Sequence, residues 1–139
     1  MAADFKQIRA AIKKVIDDNA DTVQETWNYE RSTFGGYPAV IIVPSDNEAD
    51  YGSTSKDRIV FVFQLKAYYI IPKEGEHAAA EAALEEVVDE LLTLFRDKDV
   101  LGTACDWVEP APSVWMYESR GEAVYRVAEI TLRCVKYVG

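Results

Sequence analysis

Few side chains in this sequence are spaced for bond chemistry. Asp46, Glu48 and Asp50 alternate, and Asp57 stands where the last ligand of an EF-hand calcium loop would fall. Tyr51 occupies the place such a loop reserves for glycine, Gly52 comes one residue late, and no flanking helices are expected. A solvated acidic loop is the better reading. His77 is the sole histidine, and no serine or cysteine nucleophile pattern or second imidazole accompanies it, so it reads as a surface residue in a first helical turn. Gly35-Gly36 lacks the patterns that cradle phosphate and reads as a turn. Glu81, Glu85, Glu86, Asp89 and Glu90 have no apolar surroundings to raise a carboxyl pKa, which makes them a solvated or subunit-facing surface rather than an acid/base pair. Cys105 and Cys134 have no metal-type spacing and read as small buried residues, able to pair only if neighbouring strands bring them together. The expectation is no catalytic residue, no metal and no cofactor.

The elements around these residues follow from hydrophobic periodicity. Residues 57–72, DRIVFVFQLKAYYIIP, are too β-branched and aromatic for a comfortable helix and predict one long central strand. Its odd positions are apolar throughout, whereas its even positions turn polar at Gln64 and Lys66. One face therefore lies on a core; the other is covered only near its ends or by another subunit. An amphipathic helix is predicted over residues 4–18 and a second over 76–98, the latter with Leu84, Val87, Val88, Leu91, Leu92 and Phe95 in one stripe. Residues 22–29 and 37–43 read as strands, and 44–56 as a long polar loop. Residues 100–109 read as a turn plus strand that Pro110-Ala111-Pro112 breaks, 113–118 as extended, and 123–138 as the last long strand. In that strand Val124, Ala128, Ile130, Leu132, Cys134 and Val138 mark the buried face, interrupted by Arg126 and Lys136. The order predicts a single α+β domain over residues 1–139: a mostly antiparallel sheet of four to five strands with two helices packed on one face.

Composition narrows the partners. With 15 basic and 24 acidic residues the net charge is −9, which argues against a broad nucleic-acid surface or an anionic membrane as partner. No run approaches the roughly 20 apolar residues a helical span needs. The opening residues lack the apolar segment of a secretory signal, so the expected setting is a cytoplasm or something assembled there.

Taken together, the amphipathic opening helix, YPAVIIVP before a polar loop, RIVFVFQLKAYYI, the acidic helix EAALEEVVDELLTLF and the closing AVYRVAEITLRCVKYV resemble the tail terminator proteins of long-tailed bacteriophages, also called tail completion or tail-to-head joining proteins. The resemblance covers nearly the whole length and is one of architecture. It implies a structural virion protein at the head-proximal end of the tail, assembled in the host cytoplasm. Such a protein is a homo-oligomeric ring, typically a hexamer, that caps the tail tube, ends its polymerisation and meets the head-completion or connector protein. DNA would pass through its channel without specific binding, repelled by the acidic surplus. The expected interface residues are Asp46, Glu48, Asp50, Tyr51, Lys56 and Arg58 in and beside the loop, with Trp115, Met116 and Tyr117. The alternatives are a neighbouring neck or head-closure protein and a small ligand-binding α+β domain.

Overall fold

The computed structural model describes residues 5–31, 34–45, 48–50, 57–71 and 77–138. Helix α1 (Phe5–Asn19) turns Ile8, Ile12 and Ile16 onto the sheet, where all three are buried. Asp17 and Asp18 oppose the dipole at its C-terminus, but each is met by a lysine one turn earlier: Lys13 Nζ lies 2.5 Å from Asp17 and Lys14 Nζ 2.9 Å from Asp18. The Asn19 side-chain amide also donates to the Val15 carbonyl one turn earlier, at 2.9 Å. Helix α2 (His77–Arg96) buries Ala80, Leu84, Val87, Leu91 and Phe95 and leaves Glu85, Glu86 and Asp89 in water.

Both helices lie on the same face of one sheet. Strand β1 (Glu25–Trp27) runs parallel to β2 (Ala39–Pro44), and the remaining pairs are antiparallel: β2 with β4 (Asp57–Ile71), β4 with β6 (Ala123–Val138), and β6 with β5 (Trp107–Arg120). The spatial order is thus β1-β2-β4-β6-β5, an α+β architecture as expected. β4 and β5, joined through α2, point the same way, and β6 is inserted between them. Odd residues of β4 (Phe61, Phe63, Leu65, Ala67) and even residues of β6 (Ala128, Ile130, Leu132, Cys134) meet the helices in one apolar core. Each is flanked by in-register neighbours such as Phe63↔Leu132 and Leu65↔Ile130.

Four expectations need correction. The polar loop at 44–56 contains a strand, β3 (Glu48–Asp50), which pairs with residues 58–60 of β4 on the side that β2 covers farther along. Its side chains gave no apolar signal, because main-chain bonding to a neighbour needs none. The expected strand at 22–29 shrinks to Glu25–Trp27. Pro110 and Pro112 do not break β5, which runs on to Arg120 with one register irregularity between Pro112 and Trp115. β5 is the terminal strand in the order, and there proline is tolerated. Val124 is exposed rather than buried, lying beyond the reach of the helices at the β5–β6 turn. The turn expected after α2 includes a short 3-10 helix at Gly102–Ala104, where Gly102 takes φ 62°, a left-handed conformation that suits glycine.

Candidate functional site

The face of the sheet turned away from the helices has three zones. Across its middle runs a half-exposed polar band: Gln64 and Lys66 on β4, with Glu129, Thr131 and Arg133 on β6. The Thr131 hydroxyl donates to Gln64 Oε1 at 3.1 Å, Lys66 stands opposite Glu129 in register, and Arg133 lies 3.6 Å from Glu109 of β5. At one end Val60, Val62 and Val135 are buried, with the Trp107 and Tyr137 rings packed 5.6 Å apart beside them. The Tyr137 N–H donates to Asp106 there at 2.6 Å.

The other end is closed by the segment that carries the chain from β1 to its parallel neighbour β2. A connection between adjacent parallel strands must cross a face, and this one lays Phe34 against Tyr68 (5.3 Å) and Tyr125 (6.3 Å). Glu25 anchors the crossing by accepting from the Gly35 N–H at 2.9 Å and from the Trp27 indole at 2.6 Å. The Tyr37 and Tyr125 hydroxyls lie 3.3 Å apart; burial and that contact push the Tyr37 phenol up to about 12. Burial likewise pushes Tyr68 up to about 12, with Glu118 adding to the effect and Arg120 opposing it. Arg120 closes the end: its guanidinium donates to Glu118, to the Arg31 carbonyl and to the Tyr68 hydroxyl, the last at 2.9 Å. Burial works against its charge, but the Glu118 bond and Tyr68 outweigh this and hold its pKa above the ordinary value.

The free edge of β5 differs along its length. The Val108 N–H turns away from β6 and donates to the Lys98 carbonyl at 3.2 Å. Outward amides recur at every second residue, so Pro110 and Pro112 occupy the next two positions at which an outward N–H would stand. From Val114 to Arg120 no proline interrupts the edge, and Val114 and Tyr117 are 47% and 53% exposed. Behind Tyr117 a charged cluster packs on the helix side. Arg126 donates to Glu81 of α2 and lies over the rings of Trp115 (5.2 Å) and Tyr117 (4.4 Å), while the His77 ring approaches Tyr117 at 5.9 Å.

Of the expected interface residues, Trp115 and Tyr117 belong to this cluster, and Met116 turns to the opposite face beside Tyr125 and Val127. Glu48, Asp50 and Arg58 lie in the β3–β4 pairing, which also means that Glu48, Asp50 and Asp57 sit on paired strands and not in a helix–loop–helix. Asp46, Tyr51 and Lys56 lie outside the described residues. The two groups are not brought together: Ala67, which is abreast of Trp115 through Ala128, lies nine positions along β4 from Arg58, about 30 Å along the strand. The sequence reading missed Arg120 and the role of Arg126. The signal for Arg126 was present, since a charge inside an apolar strand face must find a partner.

Among the described residues no group of His, Cys, Asp and Glu is arranged to hold a metal ion, and no helix is long and apolar enough to cross a membrane. Open grooves among the described residues include one of about 330 Å³ between α1 and residues 100–102 and one of about 320 Å³ between the end of α2 and Pro110–Pro112. Compared with known proteins, the chain matches no family model and no curated sequence.

Proposed function

We propose that the protein is a structural ring subunit that caps the tail tube of a long-tailed phage and joins it to the head-side connector. The observation that carries this reading is the sheet's surface: one face has a polar band between two closed ends, and one edge is bonded on a single side from Trp115 to Arg120, beside the exposed Val114. Half-exposed polar residues on long strands, flanked by aromatics, suit contact with a neighbouring subunit rather than burial in a monomer core. A head-to-tail contact using such a surface generates a closed ring when its rotation closes. The acidic surplus supports a channel that DNA traverses without adhering, because like charge repels the phosphate backbone.

Two measurements test the proposal together. Native mass spectrometry should find a closed oligomer, and addition to purified tail tubes should cap one end and stop their extension. Val114→Lys with Tyr117→Lys should abolish the oligomer while leaving the circular dichroism spectrum of the monomer unchanged. A wild-type protein that stays monomeric in the presence of tubes and leaves their growth unaltered would refute the reading.

A further inference from the structure

The two cysteines, far apart in sequence, are brought into one buried cluster, each next to a residue of the Asp106–Val135 main-chain hydrogen bond. Cys134 stands on β6 opposite Val108 and Phe61, facing the helix-side core, and is fully buried. Cys105 leaves the 3-10 turn in an extended conformation and is 4% exposed. The peptide after Cys105 is fixed to β6 by the Asp106 N–H, which donates to the Val135 carbonyl at 2.8 Å. This bond holds Cys105 beside the strand segment that carries Cys134, and both side chains belong to the same buried apolar cluster. The Cys105 thiol also lies 3.5 Å from the Trp107 carbonyl, and both cysteines are free.

We propose that Cys105 and Cys134 are a disulfide-forming pair that closes by exchange with a small-molecule disulfide and locks the corner after α2 onto the middle of the sheet. In the first step the Cys105 thiolate attacks one sulfur of the small disulfide, forming a mixed disulfide and releasing one thiolate. In the second, the Cys134 sulfur attacks the protein-side sulfur of that mixed disulfide. The second small thiol departs, taking up the Cys134 proton, so the protein is oxidised by two electrons and one small disulfide becomes two thiols. Interaction between the two thiols lowers the Cys105 pKa and raises that of Cys134, which fits Cys105 as the first nucleophile and Cys134 as the resolving group. The bond would add a covalent tie between residues 97–106, now held by turn hydrogen bonds, by the buried Leu101 and Ala104 and by hydrogen bonds to β6, and the strand that β4 and β5 share.

The test uses the full chain in native buffer with oxidised glutathione, followed by alkylation in denaturant and intact-mass measurement. The expected product is a monomer lacking two hydrogens, with neither glutathione nor alkyl group on either cysteine. Cys105→Ser and Cys134→Ser should each abolish it while retaining the wild-type circular dichroism spectrum. The oxidised form should melt about 5–10 °C above the reduced form, because the crosslink restricts the unfolded chain. Three results would each overturn the proposal: alkylation of both cysteines after the oxidant treatment, a mixed disulfide that persists on one of them, or a closed form that melts no higher than the reduced one. The outcome is independent of whether the chain forms a ring.

Discussion

The Glu90 carboxylate receives the Asp21 N–H at 3.1 Å, the Thr22 N–H at 2.9 Å and the Thr22 hydroxyl at 2.6 Å, tying α2 to the chain that leaves α1. Burial pushes this carboxyl up, but the hydrogen bonds from Thr22 and Asp21 outweigh it and hold the pKa below the ordinary 4.5. A depressed carboxyl favours folding above its unfolded pKa, and that contribution is lost as pH falls through the lower folded value. Glu90→Gln should therefore cost about 1–2 kcal/mol at neutral pH in urea denaturation and flatten the loss of stability below pH 4.5. Tyr68 has the opposite sign. Its phenol titrates at about 12 against an ordinary 10, so the stability it contributes is complete below 10 and disappears as pH rises from 10 to 12. Tyr68→Phe should reduce the alkaline slope, leaving the part due to Tyr37, in chemical denaturation at stepped pH, and cost about 1 kcal/mol at neutral pH through the lost Arg120 bond.

At the scale of elements, β5 carries both a device against pairing and an opening for it. Pro110 and Pro112 remove two outward donors from an edge that would otherwise template other strands. Replacing both with threonine should restore them and increase nonspecific association, measured as concentration-dependent light scattering; unchanged scattering would show that the prolines have no such effect. How much of this was legible follows from what each element depends on. α1, α2, β4 and β6 announce themselves because long segments with one buried face repeat their apolar residues at a fixed period. β3 is held by main-chain bonds to β4, and Glu-Ala-Asp carries no trace of them. The prolines were misread because their cost depends on whether the amide faces a neighbour, and edge position is a property of the sheet, not of the segment. The candidate surface was half legible. Trp115 and Tyr117 stood out by type, but their pairing with Arg126 and Glu81, and their distance from the loop, arise from strand register alone.

For the whole molecule, one continuous core joins both helices to four strands, so it should fail as a unit. Phe95, fully buried at the end of α2, packs in the same core as Cys105 and Leu101. Phe95→Ala should cost about 3–5 kcal/mol, with fluorescence and circular dichroism unfolding curves still superimposable; separated transitions would show two cooperative units. The insertion of β6 between β4 and β5 has a further consequence, for biosynthesis. A nascent polypeptide ending at residue 122 owns α1, α2 and every other strand, yet neither β4 nor β5 has met the strand that separates them. The interior cannot close on the ribosome before residues 123–138 emerge, and any surface that recognises another copy comes into being only after that.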